Sequence, residues 1–290
     1  MRTVLLLLQS MRPRQWTKNL IVFTPLIFGG HLTASTASLR AVAAFASFSL
    51  ISGAVYLLND IVDLKRDRLH ERKRLRPITA GDLPVNTAGV FAGLFSIFAA
   101  GTAFLLGPGF GLAALGFLAL QVLYSLWLKN EVLLDVMSIS AGFVVRAFAG
   151  AVVIGVAGSP WLYLCAALLA LFLGLAKRRH ELLALEADAH EHRSSLKHYS
   201  APLIDSMLSA ITASTIVAYS LYTFFSPTGE SQGLLMLTVP FVVYGLFRYL
   251  YLIHQKNLGG SPEEILLTDG PLIISILLWL CAAIVIINLT

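Results

Sequence analysis

Long apolar runs recur along nearly the whole 290-residue chain, and they constrain its fold more than any other feature of the sequence. A helix of about 20 mostly apolar residues is long enough to cross the hydrocarbon core of a bilayer. Nine runs meet this requirement, at residues 19–35, 39–58, 86–106, 110–128, 134–156, 160–176, 202–225, 233–253 and 270–289. The sequence therefore predicts an all-α polytopic membrane protein with nine transmembrane helices.

The composition agrees with this fold class and excludes several others. Apolar residues make up 57% of the chain and charged residues only 13%, whereas an ordinary soluble domain is about 25% charged. A soluble enzyme, a disordered chain and a nucleic-acid-binding protein are therefore excluded. Because no soluble linker or low-complexity tract interrupts the sequence, residues 1–290 are predicted to form a single transmembrane domain.

Charged residues are concentrated on one side of the predicted bundle. They lie mostly in the N-terminal segment and in four loops, at residues 59–85, 129–133, 177–201 and 254–269. Of the 21 lysines and arginines, only Arg40 falls clearly on the opposite side, and Arg146 falls inside a span. The positive-inside rule therefore predicts a cytoplasmic charged face and N-terminus, in a protein of the cell (inner) membrane whose C-terminus lies outside.

The N-terminal residues 1–18 are predicted to lie along the membrane surface. Their apolar run is shorter than that of a signal peptide, and no small-residue cleavage site follows it. Arg12, Arg14 and Lys18 come next instead. A short apolar stretch followed by basic residues is typical of an interfacial amphipathic segment.

Three aspartates follow the second predicted span almost immediately. Asp60, Asp63 and Asp67 fall at positions i, i+3 and i+7, which places three carboxylates on one stripe if the helix continues. Like charges on neighbouring turns repel each other, and a divalent cation would remove that repulsion. Because Mg²⁺ usually takes one or two carboxylates together with substrate phosphates, the stripe predicts a Mg²⁺–diphosphate site. The alternative is a solvated helix whose acids pair with nearby basic residues.

A basic segment comes after the aspartates and contains Lys73, Arg74 and Arg76. Guanidinium and ammonium groups bind phosphate oxygens, and they also bind the anionic head groups of lipids. The residues leave both interpretations open. Substrate phosphate is the favoured ligand for Arg74 and Arg76.

A single arginine lies deep inside a predicted span. Arg146 is about three helical turns beyond Asp135, on the same face of the helix. Ionisable residues within membrane helices are costly, which makes Arg146 a functional candidate. The alternative is a structural ion pair with an acid on a neighbouring helix. Gly142 and Gly150 flank the arginine and would permit another helix to approach closely.

The segment Asn59-Asp60-x-x-Asp63-x-x-x-Asp67 resembles the first aspartate-rich motif of the UbiA superfamily of intramembrane prenyltransferases. The resemblance covers nearly the whole chain, and it implies nine helices around a central cavity with a polar cytoplasmic mouth. Most members also have a second motif, Asp-x-x-x-Asp, which holds a metal on a prenyl diphosphate. Here Ile139 takes the place of the second acid after Asp135, which argues against a prenyl diphosphate donor.

Other segments are similar to one branch of that superfamily, the decaprenyl-phosphate phosphoribosyltransferases. They comprise residues 12–19, 73–81, 176–182 and 259–265, together with Tyr199 and Asp269. That branch uses phosphoribosyl diphosphate (PRPP) as donor and a polyprenyl phosphate as acceptor. The resemblance implies formation of polyprenylphosphoryl-5-phosphoribose and diphosphate, a step toward lipid-linked D-arabinofuranose donors for cell-envelope glycans.

The resemblance also implies roles for individual residues. Mg²⁺ is the implied cofactor, and its implied ligands are Asn59, Asp60, Asp63 and Asp67. The implied catalytic residues are Asp60, Asp63, Asp135 and Arg146. The implied substrate-binding residues are Arg14, Lys18, Asn59, Lys73, Arg74, Arg76, Tyr124, Lys129, Lys177, Arg178, Glu181 and Tyr199. The implied partners are PRPP, a polyprenyl phosphate and membrane lipids, and the sequence leaves open whether the chain forms a homo-oligomer.

Two other functions compete with this interpretation. The first is a prenyltransferase that uses a prenyl diphosphate donor and an aromatic acceptor, and Ile139 argues against it. The second is a secondary transporter, which would have helices broken near the membrane midplane and an inverted repeat. The sequence shows neither signal, and its acids gather at one membrane face rather than deep in several spans.

Overall fold

The structure, a computed structural model, describes residues 2–69, 73–185, 194–225, 233–256 and 258–289. In these ranges the α-helices, in chain order, are α1 (Arg2–Ser10), α2 (Thr24–Phe28), α3 (Ser35–Val62), α4 (Leu64–Asp67), α5 (Pro77–Ala80), α6 (Val85–Leu106), α7 (Pro108–Leu126), α8 (Leu134–Ile154), α9 (Pro160–Leu185), α10 (Ala201–Phe225), α11 (Val239–Gln255), α12 (Pro262–Thr268) and α13 (Gly270–Leu289). Short 3₁₀ helices lie at Pro13–Phe23, Lys73–Leu75, Leu128–Asn130, Ser194–His198 and Leu234–Thr238.

The predicted all-α membrane fold is confirmed. Within the described ranges, eight stretches are long and apolar enough to cross a bilayer. They correspond to the second through ninth predicted spans, with Leu234–Thr238 extending α11 to the required length. In α6 and α13 only 17% of the most apolar window is buried within the protein. The apolar surface of these two helices therefore faces lipid.

The first predicted span, residues 19–35, is not one continuous α-helix. The chain forms the 3₁₀ helix Pro13–Phe23 and then the five-residue α2. Pro25 explains the break, because it has no N–H to donate and its ring crowds the carbonyl of Ile21. The Thr24 hydroxyl donates to that carbonyl instead, at 2.7 Å. This segment is therefore not among the eight stretches that are long and apolar enough to cross a bilayer.

Helices that follow one another in the chain pack as neighbours, and the bundle closes on itself. Helix α8 lies at its centre, against α3, α7, α9 and the Pro13–Phe23 segment. The last helix, α13, packs on α2, where the rings of Phe28 and Trp279 lie 5.5 Å apart. One apolar core joins α3, α6, α7 and α8 around Phe48 and Phe117, and another joins α9, α10 and α11 around Phe172.

The Pro13–Phe23 segment approaches α8 closely at one glycine. A Cβ atom added to Gly150 would lie 2.2 Å from the carbonyl oxygen of Val22. A real Cβ never comes this close to a carbonyl, so the approach requires glycine at this position. The prediction that Gly150 allows close approach is therefore confirmed, and the neighbour is the broken first span.

This contact generates a stability prediction. We expect Gly150→Ala to lower the free energy of unfolding by about 1–3 kcal/mol, the usual cost of overpacking a core. The control is Gly116→Ala in α7, where an added Cβ would meet nothing within 4 Å. That change should be neutral or stabilising by up to about 1 kcal/mol. Thermal unfolding of the detergent-solubilised protein measures both, and equal midpoints would contradict the close contact.

Candidate active site

The helix that carries the aspartates breaks within the motif. Helix α3 ends at Val62, Asp63 adopts a non-helical conformation with φ −89° and ψ 5°, and α4 starts at Leu64. The predicted stripe of three carboxylates is therefore not formed. Asp60 and Asp67 come together, whereas Asp63 lies apart from them.

The pair formed by Asp60 and Asp67 is held by one arginine. A guanidinium nitrogen of Arg76, Nη1, donates to Asp60 Oδ1 at 3.1 Å and also to Asp67 Oδ2. Lys73 Nζ lies 3.9 Å from Asp67. Both carboxylates are almost fully buried, with 1% and 2% of their side chains exposed. A buried carboxylate is stable only when a cation or hydrogen-bond donors compensate it, and these basic residues provide that compensation.

A second arginine reaches Asp60 from the other end of the sequence. Arg12 Nη2 donates to Asp60 Oδ1, and its guanidinium lies 4.9 Å from the centre of the Tyr56 ring. The Arg12 backbone is left-handed, with φ 52° and ψ 66°. This conformation costs a non-glycine residue about 1 kcal/mol or more. It turns the chain from α1 into the Pro13–Phe23 helix and brings the Arg12 side chain over the carboxylate.

Arg12 is a site residue that the sequence-based assignment missed. The assignment included Arg14 and Lys18 instead, and the structure leaves Arg14 exposed and Lys18 half-buried. One signal was available, because Arg12 opens the segment 12–19 that carries part of the family resemblance. Sequence spacing alone could not show that it would reach Asp60.

Asp63 has a different partner, as a result of the break in the helix. Lys129 Nζ donates to both of its carboxylate oxygens, at 2.7 and 2.9 Å. Only 5% of the Lys129 side chain is exposed. Lys129 lies in the 3₁₀ helix that links α7 to α8, so this ion pair joins the charged end of α3 to the start of α8.

A second polar cluster is built around Asp135, which is completely buried in the first turn of α8. Its carboxylate accepts from Arg178 Nε at 2.7 Å and from the Tyr199 hydroxyl at 2.9 Å. Arg178 also donates to Glu181. The lone aspartate is therefore used in an ion pair and a hydrogen bond. This agrees with the prediction that it acts by hydrogen bonding or electrostatics.

The backbone just before Asp135 is strained. Leu133 has φ 66° and ψ −42°, and the N–H of Leu134 donates to the carbonyl of Val132 at 2.8 Å, which closes a γ-turn with positive φ. The N–H of Leu133 donates to the Tyr199 hydroxyl at 2.9 Å. One hydroxyl therefore holds both the strained turn and the buried carboxylate.

Arg146 lies inside the bundle and is held there by neutral groups. Its Nε donates to Asn19 Oδ1 at 2.7 Å, and its Nη1 donates to the carbonyl of Gly142 at 3.1 Å. The guanidinium lies 4.2 Å from the centre of the Phe117 ring. No ion pair to Arg146 is present among the described residues. The buried charge is instead solvated by neutral groups, including Asn19, whose contact with Arg146 the sequence did not indicate.

The other predicted binding residues surround these clusters less closely. Arg74 is exposed, and Asn59 is half-buried at the end of α3. Lys177 directly precedes Arg178 in α9. Tyr124, near the end of α7, lies within electrostatic range of Arg178. Asn59, Arg74 and Lys177 lie on the same elements as Asp60, Lys73 and Arg178, respectively.

Taken together, the geometry defines an integral membrane protein with a polar, charge-rich site at one end of its helix bundle. A sequence profile of the UbiA prenyltransferase family matches residues 22–263. The chain therefore belongs to the UbiA prenyltransferase family.

Named relatives and a solved structure refine this relationship. The chain is 32% identical to the decaprenyl-phosphate phosphoribosyltransferase of Corynebacterium glutamicum, over 94% of this chain and 84% of that protein. It is 31% identical to the enzyme of the same name from Mycolicibacterium smegmatis, over 94% and 90%. A UbiA homologue from Archaeoglobus fulgidus, bound to GPP and Mg²⁺, has a similar fold. The TM-score is 0.75 at 20% identity, over 98% of this chain and 99% of the homologue.

The role of Tyr199 leads to a prediction about stability and pH. Tyr199→Phe should lower the free energy of unfolding by about 1–3 kcal/mol, because it leaves the N–H of Leu133 without its partner and removes one of the donors to the buried carboxylate of Asp135. Burial raises the pKa of Tyr199 from 10.0 to about 12. A group whose pKa is higher in the folded state stabilises fully below its unfolded value, so the hydroxyl's contribution should persist up to about pH 10 and be lost as the pH approaches 12.

The matched control is Tyr244→Phe, because the Tyr244 side chain is 49% exposed. Its free energy of unfolding should stay within about 0.5 kcal/mol of the wild type. Thermal unfolding at several pH values between about 7 and 12 gives both differences and covers the range in which the contribution of Tyr199 should be lost. A Tyr199→Phe variant as stable as the wild type would contradict the proposed anchoring of the Leu133 turn.

Proposed function

We propose that this protein transfers the 5-phosphoribosyl group of PRPP to a polyprenyl phosphate, at the charged end of the bundle. The observation that carries the proposal is the buried pair Asp60 and Asp67, held by Arg76 and surrounded by further cations. Such a site suits a substrate with several negative charges. Relatives named decaprenyl-phosphate phosphoribosyltransferase, 31–32% identical over 94% of the chain, support this choice of substrates.

The donor set at this pair fits Mg²⁺. The two carboxylates already accept one cationic nitrogen, that of Arg76, between their oxygens. Mg²⁺ typically takes oxygen ligands from one or two carboxylates, with substrate phosphates and water completing the shell. Among the described residues, no group of three acidic, histidine or cysteine side chains could form a metal site. We therefore assign Asp60 and Asp67 as the protein ligands, with Asp63 outside the set.

Mg²⁺ bound there would neutralise the charge that develops on the leaving diphosphate. The residues that now pair with the carboxylates then have a second use. Arg12, Lys73 and Arg76 lie beside the pair, so they can turn from carboxylate oxygens to phosphate oxygens when the metal replaces them. Arginine suits this exchange because its planar group can contact two oxygens of one phosphate.

The polar cluster around Asp135 positions cations for the second anionic substrate, the polyprenyl phosphate. Asp135 and Tyr199 hold Arg178 and the start of α8 in a fixed arrangement, and Lys129 stands between this cluster and Asp63. Arg146, whose hydrogen bonds go to the side-chain oxygen of Asn19 and the carbonyl of Gly142, adds a positive charge deeper in the bundle. These cations counter the repulsion between two anionic substrates, which has to be overcome before they can react.

The chemistry needs no strong general base. A phosphate oxygen of the acceptor is already anionic near neutral pH, so it can attack the anomeric carbon of the ribose directly as the bond to diphosphate breaks. Direct displacement gives polyprenylphosphoryl-5-phosphoribose and diphosphate. We propose the charged face as the cytoplasmic one, because PRPP is water-soluble and the positive-inside rule gives the same orientation. The product would supply lipid-linked D-arabinofuranose donors for cell-envelope glycans.

The surroundings of Asp135 argue against a prenyl diphosphate donor. Arg178, the Tyr199 hydroxyl and the N–H of Val136 already donate to its carboxylate, and Ile139 cannot contribute a ligand to a second metal. The test uses the purified protein in detergent with Mg²⁺ and polyprenyl phosphate. Radiolabelled PRPP should yield a labelled lipid, whereas GPP with an aromatic acid should give no product. Turnover of GPP without turnover of PRPP would reject the proposal.

The carboxylate pair gives a sharper prediction. We expect Asp60→Asn and Asp67→Asn each to reduce kcat/KM by at least about 100-fold, because metal stabilisation of leaving-group charge is worth several kcal/mol. Both variants should also need more Mg²⁺ for half-maximal rate. Asp63→Asn removes the partner of Lys129, so it should lower the rate without changing the Mg²⁺ requirement.

The control for these variants is Asp82→Asn, since Asp82 forms an exposed ion pair with Arg2 outside the site. It should retain the wild-type rate and Mg²⁺ dependence. The measurement is the initial rate as a function of Mg²⁺ concentration, with thermal unfolding to confirm that each variant is folded. A larger shift in Mg²⁺ dependence for Asp63→Asn than for Asp60→Asn would reverse the ligand assignment.

A further inference from the structure

Helix α1 carries an apolar face that is exposed on the surface of the protein. Val4, Leu5 and Leu8 are 59%, 61% and 43% exposed. Successive residues of an α-helix are about 100° apart around its axis, so these three side chains lie within one arc of about 100°. Adjacent exposed apolar side chains mark a surface that binds a protein or a membrane. The surroundings of α1 decide between the two.

Another face of α1 packs on the membrane-spanning helices. Leu7 and Met11 are buried in an apolar cluster that also contains Leu57 of α3 and Ala88 and Ala92 of α6. Most of α6 faces lipid, because only 17% of its most apolar window is buried. Helix α1 therefore lies beside a lipid-facing helix of the bundle.

The contact of α1 with α3 lies at the depth of the acyl chains. A Cβ atom added to Gly53 would be 2.5 Å from Met11 Cε, so Met11 packs directly on α3 at this glycine. Gly53 is nine residues, about 13 Å, from the end of α3 at Val62. The 28 residues of α3 extend about 42 Å, which exceeds the roughly 30 Å hydrocarbon core by about 6 Å at each end when the helix is centred. Met11 therefore lies about 7 Å inside the core, the depth at which interfacial helices bury their apolar face.

The polar residues of α1 lie on a third face. Gln9 and Arg2 are exposed, and they lie about 140° and 160° from Val4 around the helix axis. Arg2 donates to Asp82 at 3.1 Å, in the turn that precedes α6. A helix with an apolar face and a separate polar face is typical of a segment that lies in the membrane plane. Because α1 also reaches acyl-chain depth, the partner of its exposed apolar face is the bilayer rather than a soluble protein.

One residue, Met11, separates α1 from Arg12, so the position of the helix fixes that of the arginine. The N–H of Arg12 donates to the carbonyl of Gln9 at 3.2 Å. The Trp16 indole donates to the carbonyl of Met11 at 3.2 Å. These bonds join the last turn of α1 to the left-handed turn at Arg12. That turn is strained, so it persists only while its surroundings hold it.

We infer that α1 is an in-plane membrane helix whose apolar face lies among the phospholipid acyl chains at the charged end of the bundle, and that this lipid contact positions Arg12 over Asp60. The lipid contact stands independently of the proposed function. Its effect on turnover rests on the proposed function, because it acts through a residue of the carboxylate site. Loss of the contact frees α1 to move, and the strained turn at Arg12 then relaxes away from the carboxylate.

The first test measures the membrane contact without turnover. A nitroxide spin label is attached at Val4→Cys or at Gln9→Cys in the full-length protein, in vesicles of phosphatidylcholine and phosphatidylglycerol. The background carries Cys165→Ser and Cys281→Ser, so that only the new thiol is labelled. Oxygen concentrates in the bilayer and a nickel chelate stays in water, so the ratio of their effects on the relaxation of the label reports its depth.

The label at position 4 should be relaxed more by oxygen. The label at position 9, the control on the polar face of the same helix, should be relaxed more by the chelate. A label at position 4 that is relaxed mainly by the chelate would overturn the inference.

The second test asks whether the lipid contact acts through Arg12. Val4→Asn, Leu5→Asn and Leu8→Asn are combined in one variant. In the same vesicles, this variant and Arg12→Gln should each lower kcat/KM for PRPP by about 10-fold or more, as expected for loss of a charged hydrogen bond. Adding Arg12→Gln to the combined variant should cause little further loss, because changes that remove the same interaction are not additive.

The control is Leu105→Asn, which makes the same change at an 87% exposed apolar position near the other end of α6. It should keep the wild-type rate. Additive losses would overturn the positioning of Arg12, and so would wild-type activity of the combined variant.

Thermal unfolding identifies any variant that fails to fold, and Leu8→Asn alone then replaces the combined variant. If the wild type transfers no phosphoribosyl group, the proposed function fails, and the additivity of the same variants is read from their unfolding midpoints. The spin labels decide on the membrane contact in either case.

Discussion

The burial of acidic side chains at one end of a membrane bundle is the constraint on which the rest of the site depends. Asp60, Asp67 and Asp135 are each at most 2% exposed. Removing a carboxylate from water is expensive, and removing one partner of such a pair can cost about 3–5 kcal/mol. Each acid therefore needs a cation at contact distance. The structure supplies these cations from residues that are distant in sequence, namely Arg12, Arg76 and Arg178.

These ion pairs tie the helices together and also define the chemistry of the site. Arg12 joins the N-terminal segment to α3, Lys129 joins α3 to the loop before α8, and Arg178 joins α9 to α8. Well-packed apolar residues would stabilise such contacts as well or better. Stability alone therefore does not explain why charged residues occupy these positions. The exchange of these cations for a metal and for phosphates, which we propose above, would explain it.

The two halves of the site differ in how their acids are used. In the first half, two carboxylates meet at one cationic nitrogen, which is an arrangement that a divalent ion can take over. In the second half, Asp135 accepts from Arg178 and from Tyr199, and it lies next to a strained turn at Leu133. A single acid held in this way positions its neighbours and has no second carboxylate at Ile139 with which to share a metal. This difference supports the proposed donor, which needs only one metal-bound diphosphate.

Much of this protein could be predicted from its sequence, because the signals are local. Apolar runs of the right length indicated eight helices that the structure confirms, and the distribution of lysine and arginine placed the polar site at one end. The aspartate motif and the missing acid at Ile139 could also be recognised without coordinates. The structure departs from the predicted helices at two places, Pro25 and Asp63. Both helix breaks have short-range backbone causes, which a count of apolar residues or an assumed helical spacing does not detect.

Tertiary structure alone decided which charges meet. The sequence could not show that Arg12 donates to Asp60 or that Lys129 pairs with Asp63. It also could not show that Arg146 donates to Asn19. Such pairs form between helices brought together by the packing of the whole bundle, and sequence separation carries no information about them. The sequence by itself thus determined the membrane fold and the chemical type of the site, because both depend on local composition. The fold determined that Asp60 and Asp67 share Arg76, because that contact depends on distances between elements that are separate in the sequence.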